Sequence, residues 1–209
     1  MERASHINLG AACRGRRRIG LLGGSFNPAH EGHVHISRLA LKRLRLDEVW
    51  WLVSPQNPLK PEVGMAPLQD RLATARALTG SRCIRVTDVE TRLGTRYTVD
   101  TVTALRRRCP GTRFVWLIGA DILLELPHWH RWQDLFGRVP IAVFARRPYS
   151  LCALSGPAAQ RFARFRLREA AAGALAGRNP PAWVFLHCRP HPASATAIRR
   201  SRQASHREE

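Results

Sequence analysis

From Arg18 onward the chain alternates short apolar runs with longer stretches whose apolar residues recur at helical spacing. Ile19 to Leu22 is one such run, and it ends in Gly23-Gly24, the pattern of a buried parallel strand meeting a turn. A helix is expected from about His33 to Arg45, with Val34, Leu39, Leu41 and Leu44 supplying much of its inward face. A second strand, Val49 to Val53, is closed by the Ser54-Pro55 break. The alternation continues with a helix near Leu68 to Leu78, a strand around Ile84 to Val86 and a helix near Val99 to Arg108. Strands follow at Phe114 to Ile118, Ile141 to Ala145 and Trp183 to His187, the last two separated by an Ala- and Arg-rich segment, Ala158 to Leu175, read as helical. Helices alternating with short apolar strands imply an α/β fold, a doubly wound parallel sheet covered on both faces. Ligands of such sheets bind beyond the carboxyl ends of the strands.

A chain of 209 residues, 44% of them hydrophobic, suits one domain better than two. Residues 18–200 are read as that domain, residues 1–17 as a flexible basic extension and residues 201–209 as a short polar tail. No run approaches the roughly 18 to 20 apolar residues that span a bilayer, and the first residues lack the apolar centre of a secretory signal. A soluble, cytoplasmic protein without a membrane partner is therefore expected. The five cysteines, Cys13, Cys83, Cys109, Cys152 and Cys188, are widely spaced without a Cys-x-x-Cys pair, so neither a disulfide framework nor a cysteine zinc site is expected.

The net charge of +19 invites a nucleic-acid reading, because clustered cations gain affinity by releasing phosphate counterions. Of the 34 basic residues, however, all but Lys42 and Lys60 are arginine, a bias that has no need of a functional cause. The clusters at 14–18, 106–108 and 199–207 look like solvated ends rather than one groove. No helix-turn-helix, ribonucleoprotein or zinc-finger pattern accompanies them, and no nucleic-acid partner is expected. A basic surface still draws in polyanionic substrates.

The candidate chemistry lies immediately after the first strand, in Gly23-Gly24-Ser25-Phe26-Asn27-Pro28-Ala29-His30-Glu31-Gly32-His33. The glycines let backbone N–H groups approach phosphate oxygens, and the following helix N-terminus faces an anion with its partial positive charge. His30 and His33, three apart, can both point from that start into one cleft and donate to charge that develops on a phosphate. A Gly-Gly turn alone is a weak signal, and a lone loop histidine is usually solvated. The combination of strand, glycines, proline and paired histidines is far more specific. Zinc is the other chemistry histidines suggest, but His-Glu-Gly-His lacks the His-Glu-x-x-His spacing, and no metal ligands are assigned.

Here the chain resembles the nucleotidyltransferase superfamily, whose signature of histidine, any residue, glycine and histidine is matched by His30 to His33. Within it the chain is similar to the bacterial nicotinate-mononucleotide adenylyltransferases. That resemblance runs from about Arg18 to Arg199 and rests also on Pro58-Leu59-Lys60, Arg71-Leu72, Tyr97-Thr98-Val99-Asp100-Thr101, Ile118-Gly119-Ala120-Asp121, the segment from Trp129 to Trp132, Arg147-Pro148 and Ser194-Ala195-Thr196-Ala197-Ile198-Arg199. It implies a Rossmann-like nucleotide-binding fold and direct attack of a mononucleotide phosphate on the α-phosphorus of ATP, with Mg²⁺ bound to the ATP and pyrophosphate released. The partners so implied are ATP and nicotinate mononucleotide, and the place is NAD biosynthesis.

By the same resemblance His30 and His33 are catalytic, Gly23, Gly24, Ser25 and Phe26 line the nucleotide, and Asp121 takes the ATP ribose. Ser194, Thr196 and Arg199 hold the outer phosphates. On the acceptor side Lys60 lies near a phosphate, Thr95, Tyr97 and Thr98 flank the pyridine, and Trp129 stacks on its ring beside His130. Asp100 serves equally well as support for the helix after Tyr97-Thr98. Trp129 and Trp132 have an alternative as core aromatics, against which Pro127, His130 and Arg131 argue for a partly exposed loop. Arg71 reads as a helix surface residue and stays outside the site. Two departures from the family pattern stand out: Asn27 where many relatives carry aspartate, and Ala195 in place of a serine. Another acceptor, such as nicotinamide mononucleotide, and a basic nucleic-acid-binding protein with a decayed site are the competing readings.

Overall fold

The computed structural model describes residues 15–55, 64–146, 148–189 and 191–199. Within them β1 (Arg18–Gly24) leads through α1 (Glu31–Arg43) to β2 (Glu48–Val53), then through α2 (Leu68–Thr79) to β3 (Ile84–Thr87). The short α3 (Val89–Leu93) and α4 (Thr98–Arg108) carry the chain back across the sheet to β4 (Arg113–Gly119). α5 (Ala120–Glu125) and α6 (Trp132–Arg138) precede β5 (Ile141–Phe144), and α7 (Ser150–Ser155) and α8 (Pro157–Arg161) lead on to β6 (Arg166–Leu167) and β7 (Trp183–Leu186). The strands form one sheet in the order β3-β2-β1-β4-β5-β7-β6 with every pairing parallel. This is the expected Rossmann-like doubly wound sheet.

Alternation along the strands explains why the sheet is sandwiched. In β2 all six residues are buried, and Trp50 and Leu52 join the core on one face while Val49, Trp51 and Val53 join the core on the other. A strand covered on both faces reads as a continuous apolar run, which is what Val49 to Val53 shows. The two buried indoles still satisfy their N–H groups: Trp50 donates to Glu48 at 2.9 Å and Trp51 to Ser37 at 2.8 Å.

Several local expectations differ from the structure. The segment 158–175 is not one helix: α8 gives way to a 3₁₀ turn, Ala163–Phe165, then to the edge strand β6, then to a 3₁₀ stretch, Glu169–Gly177. Its Ala content favours helix, but Trp183 and Val184 of β7 offer a strand edge that Arg166 and Leu167 pair with, and Gly173 packs against Arg45, where a side chain would meet the arginine at 3.0 Å. The short helices α3, α5, α6 and α7 were too brief to show a period. Cys83, Cys152 and Cys188 are free thiols as expected, whereas Cys109 is disulfide-bonded. No helix among the described residues is long and apolar enough to cross a membrane. The expected extension 1–17 lies outside the described residues apart from 15–17, and the tail 201–209 lies wholly outside them.

Strand order reverses between β1 and β4, since β2 and β3 extend one way from β1 and β5, β7 and β6 the other way from β4. The loops leaving these two strands diverge and open a crevice at their carboxyl ends. Gly23 to Phe26 form one lip and Gly119 to Asp121 the other.

Candidate active site

At this crevice lies a cleft of about 970 Å³. Gly23 shapes it, because a side chain there would run into the Trp116 indole at 2.7 Å. Two residues on, Phe26 holds a left-handed backbone (φ 49°), an uncommon choice for a bulky residue, and is kept there by burial and by stacking on Trp51 at 5.0 Å. That turn aims the chain into α1.

His30 is the N-cap of α1, and its Nδ1 accepts the Gly32 N–H at 3.1 Å. The His30 N–H in turn donates to Nδ1 of His33 at 3.1 Å, a reciprocal capping arrangement built from two imidazoles. Both Nδ1 atoms are therefore acceptors, so in each neutral ring the proton sits on Nε2. Burial lowers the pKa of His30 to about 4, with Arg146 and His191 adding to the effect. His33 falls to about 3, again mainly by burial, with His30 and Arg146 contributing. At neutral pH the pair, with ring centres 3.9 Å apart, is thus two uncharged donors whose tautomers are fixed by the helix they cap. Gly32 is part of this construction: a side chain there would meet His30 Nδ1 at 2.8 Å. The signature needs its glycine because an imidazole lies across that backbone.

The opposite lip carries Asp121 in the first turn of α5, folded back over Gly119, which has no room for a side chain against the Asp121 carboxylate. Asp121 accepts from Arg146 Nη1 at 2.7 Å. At the far end the Tyr97 and His130 rings stack at 4.2 Å, and Trp129, half-buried, lines the cleft while packing against the core. The two readings of Trp129, ring platform and core aromatic, are compatible in this position. Glu90, on α3, also lines the cleft, and burial raises its pKa to about 7 against the pull of Ser54 and Thr101 hydroxyls.

The cleft thus brings together Gly23, Gly24, Ser25, Phe26, His30, His33, Asp121, Ser194 and Thr196 with Tyr97, Thr98, Trp129 and His130. Thr95 stands back from the wall and hydrogen-bonds Thr101 at 2.8 Å. Arg199 faces an adjoining cavity, with Nη1 donating to the Asn27 carbonyl at 2.6 Å. Lys60 lies outside the described residues. Asn27 uses its amide to hold the segment before α2, donating to Gly64 O at 2.9 Å and accepting from Ala66 N at 3.3 Å.

Arg71 is not a surface residue. It is 3% exposed, and its guanidinium donates to four backbone carbonyls: Ser25 and Ser54 at 2.7 Å, Ala66 at 2.8 Å and Pro55 at 3.0 Å. It therefore fastens the glycine turn to the loops at either end of the β2-to-α2 connection. Its place four residues before the buried Ala75 and eight before Thr79 was the signal that α2 turns it inward. Arg146 and Glu90, by contrast, had no local signal, because what makes them part of the site is the return of distant strands to one crevice.

A parallel sheet with its switch-point cleft of about 970 Å³ and a helix N-terminus capped by two neutral imidazoles define a nucleotide-binding transferase. Residues 21–201 match the cytidylyltransferase-like family model. A protein of Cereibacter sphaeroides named "Probable nicotinate-nucleotide adenylyltransferase" is 55% identical over 181 residues, covering 87% of this chain and 96% of its own. Its namesake from Parvibaculum lavamentivorans is 53% identical over 182 residues, covering 87% and 90%. The fold superposes on the Plasmodium falciparum nicotinic acid mononucleotide adenylyltransferase complexed with NaAD, with a TM-score of 0.66 over 88% of this chain and 83% of that one at 14% identity. The chain belongs to the nicotinate-nucleotide adenylyltransferase family.

Proposed function

We propose that the protein catalyses the reversible transfer of the adenylyl group of ATP to nicotinate mononucleotide, giving nicotinate adenine dinucleotide and pyrophosphate in NAD biosynthesis. The observation that carries this reading is one cleft with a neutral imidazole pair at one end and an aromatic platform of Tyr97, His130 and Trp129 at the other. ATP enters with its Mg²⁺ chelated by the triphosphate, so the ion arrives as substrate. Asp121 receives the ATP ribose, and His30 and His33 direct Nε2–H groups at the phosphates. Ser194, Thr196 and, after leaving Asn27, Arg199 hold the outer phosphates. At the far end the pyridine lies on Trp129 with its carboxylate toward backbone N–H groups near Thr98 and His130, and Thr95 supports that wall through its bond to Thr101. The acceptor phosphate is assigned to Lys60, which lies outside the described residues.

The acceptor phosphate then attacks the α-phosphorus in line, the bond to the bridging oxygen breaks, and pyrophosphate leaves with the electron pair. The protein contributes position and charge stabilisation, and no side-chain nucleophile takes part. Fixed donors lose no reorganisation energy as negative charge shifts onto the leaving oxygens. A cytoplasmic location, and one catalytic domain over residues 18–200, belong to the same reading. The test is to mix purified protein with ATP, Mg²⁺ and nicotinate mononucleotide and to follow dinucleotide and pyrophosphate together. Equimolar formation of both, dependent on acceptor and divalent cation, is expected, whereas ATP hydrolysis at a similar rate without acceptor would defeat the assignment.

A further inference from the structure

Arg146 follows β5 by two residues, and its backbone is fixed on both sides. Its N–H donates to Ser150 Oγ at 3.1 Å, and its carbonyl accepts from Tyr149 N at 2.8 Å. Its side chain, by contrast, is 43% exposed and reaches into the cleft, where it meets Asp121 at 2.7 Å. Only one of the carboxylate oxygens is served by that contact, since Asp121 Oδ1 is buried with no hydrogen-bond partner among the described residues. A carboxylate with one oxygen unpaired gains from exchanging its partner for a ligand that offers two donors. The cis-diol of a ribose is such a ligand.

The guanidinium also lies within Coulombic reach of both catalytic imidazoles, which it helps keep neutral. Those imidazoles donate hydrogen bonds but bring no charge. Arg199 is turned toward Asn27, and Arg96, which also lines the cleft, lies by Tyr97 at the acceptor end. On the phosphate side of the described cleft the permanent cation is therefore Arg146.

We propose that Arg146 is a further phosphate-binding catalytic residue, held in reserve by Asp121 and released when the ATP ribose takes over that carboxylate. The inference rests on the adenylyl-transfer reading for the identity of the nucleotide. The backbone stays pinned by Ser150 and Tyr149 while the side chain swings from Asp121 to the triphosphate. A planar fork of donors suits phosphate oxygens, and its attraction strengthens as charge accumulates on the departing pyrophosphate. Ribose recognition and charge stabilisation become linked: a nucleotide lacking its ribose hydroxyls leaves Arg146 on Asp121.

The variants Arg146→Met and Arg146→Lys test this. Loss of a charge-assisted contact predicts that kcat/KM for ATP falls roughly 10- to 100-fold in the methionine variant and less in the lysine variant, with KM for the acceptor changed less than threefold. Ring NMR titrations of His30 and His33 in the free protein should shift to higher pH in Arg146→Met and stay near wild type in Arg146→Lys. A folded Arg146→Met protein with wild-type kcat/KM overturns the proposal. So does lost activity with unmoved histidine titrations, which assigns Arg146 a bracing role. If the wild type itself forms no dinucleotide, the functional reading fails separately. Calorimetry with a non-hydrolysable ATP analogue then decides: roughly tenfold weaker binding by Arg146→Met supports the phosphate contact, and equal affinity overturns it.

Discussion

Replacing Arg71 by methionine probes how the glycine turn after β1 is held in place. Methionine fills much of the same volume, so the perturbation is loss of the guanidinium rather than a cavity. Four carbonyl oxygens, of Ser25, Ser54, Pro55 and Ala66, lose a charged donor at 2.7 to 3.0 Å. Hydrogen bonds to a charged group contribute about 1.5 to 3 kcal/mol each, so the gross loss is several kcal/mol. Part is recovered because the guanidinium no longer has to be desolvated and because loop carbonyls can rotate toward water. A net cost of about 3 kcal/mol follows, which for a chain of this size lowers Tm by roughly 6 to 12 °C. Ser25 belongs to the glycine turn, so KM for ATP should rise in the surviving folded protein while KM for the acceptor changes less. Thermal unfolding and ATP titrations of wild type, Arg71→Met and Arg71→Lys measure both effects, the lysine variant recovering only part of the loss because it lacks the fork. A methionine variant that melts within about 1 °C of wild type and keeps its KM for ATP would refute the idea that this residue fastens the loops.

His30→Ala removes one fixed donor and should lower kcat roughly a hundredfold with the fold intact, about 3 kcal/mol of transition-state stabilisation; near-normal turnover by a well-folded variant would take His30 off the catalytic list. The histidine pair also sets a pH dependence of stability. Folded-state values of about 4 and about 3 lie below the ordinary 6.5, so the unfolded chain binds more protons below pH 6.5, and the contribution present above 6.5 is lost as pH falls toward 4 and 3. Glu90 acts oppositely, because its value of about 7 lies above 4.5 and its contribution fades as pH rises from 4.5 through 7. Plots of Tm against pH should therefore flatten between 6.5 and 4 in His33→Asn and steepen in Glu90→Gln, and parallel curves for all three proteins would contradict the assignment. Finally, kcat/KM should be much higher for nicotinate than for nicotinamide mononucleotide, since the backbone donors proposed near Thr98 and His130 would face the amide's own N–H groups, and Trp129→Ala should raise acceptor KM roughly tenfold with ATP KM unchanged. Equal use of both acceptors would defeat the nicotinate assignment, and an unaffected Trp129→Ala would make that indole a core residue alone.

The sheet was legible because its strands are buried on two faces, and double burial leaves a mark that needs no partner to be read: an unbroken apolar run such as Val49 to Val53, bounded by breakers. The glycine turn with its two histidines was legible because Gly23 to His33 is contiguous and its parts act on one another over a few residues, His30 on Gly32 and His33 on His30. Short elements were harder, because α3, α5 and α7 are five to six residues long and complete too few turns to show a period. Composition misled at residues 158–175, where alanine argued for helix and the open edge of β7 recruited a strand. Only the tertiary structure decided which four carbonyls Arg71 holds, that Arg199 rests on Asn27, and that Arg146 faces two histidines more than a hundred residues away in sequence. Charged side chains have no fixed preference that a pattern can carry. Whether one is a solvated surface group or a phosphate ligand depends on which carbonyls, carboxylates and rings the parallel crossovers bring beside it, and here that was settled where the sheet reverses between β1 and β4.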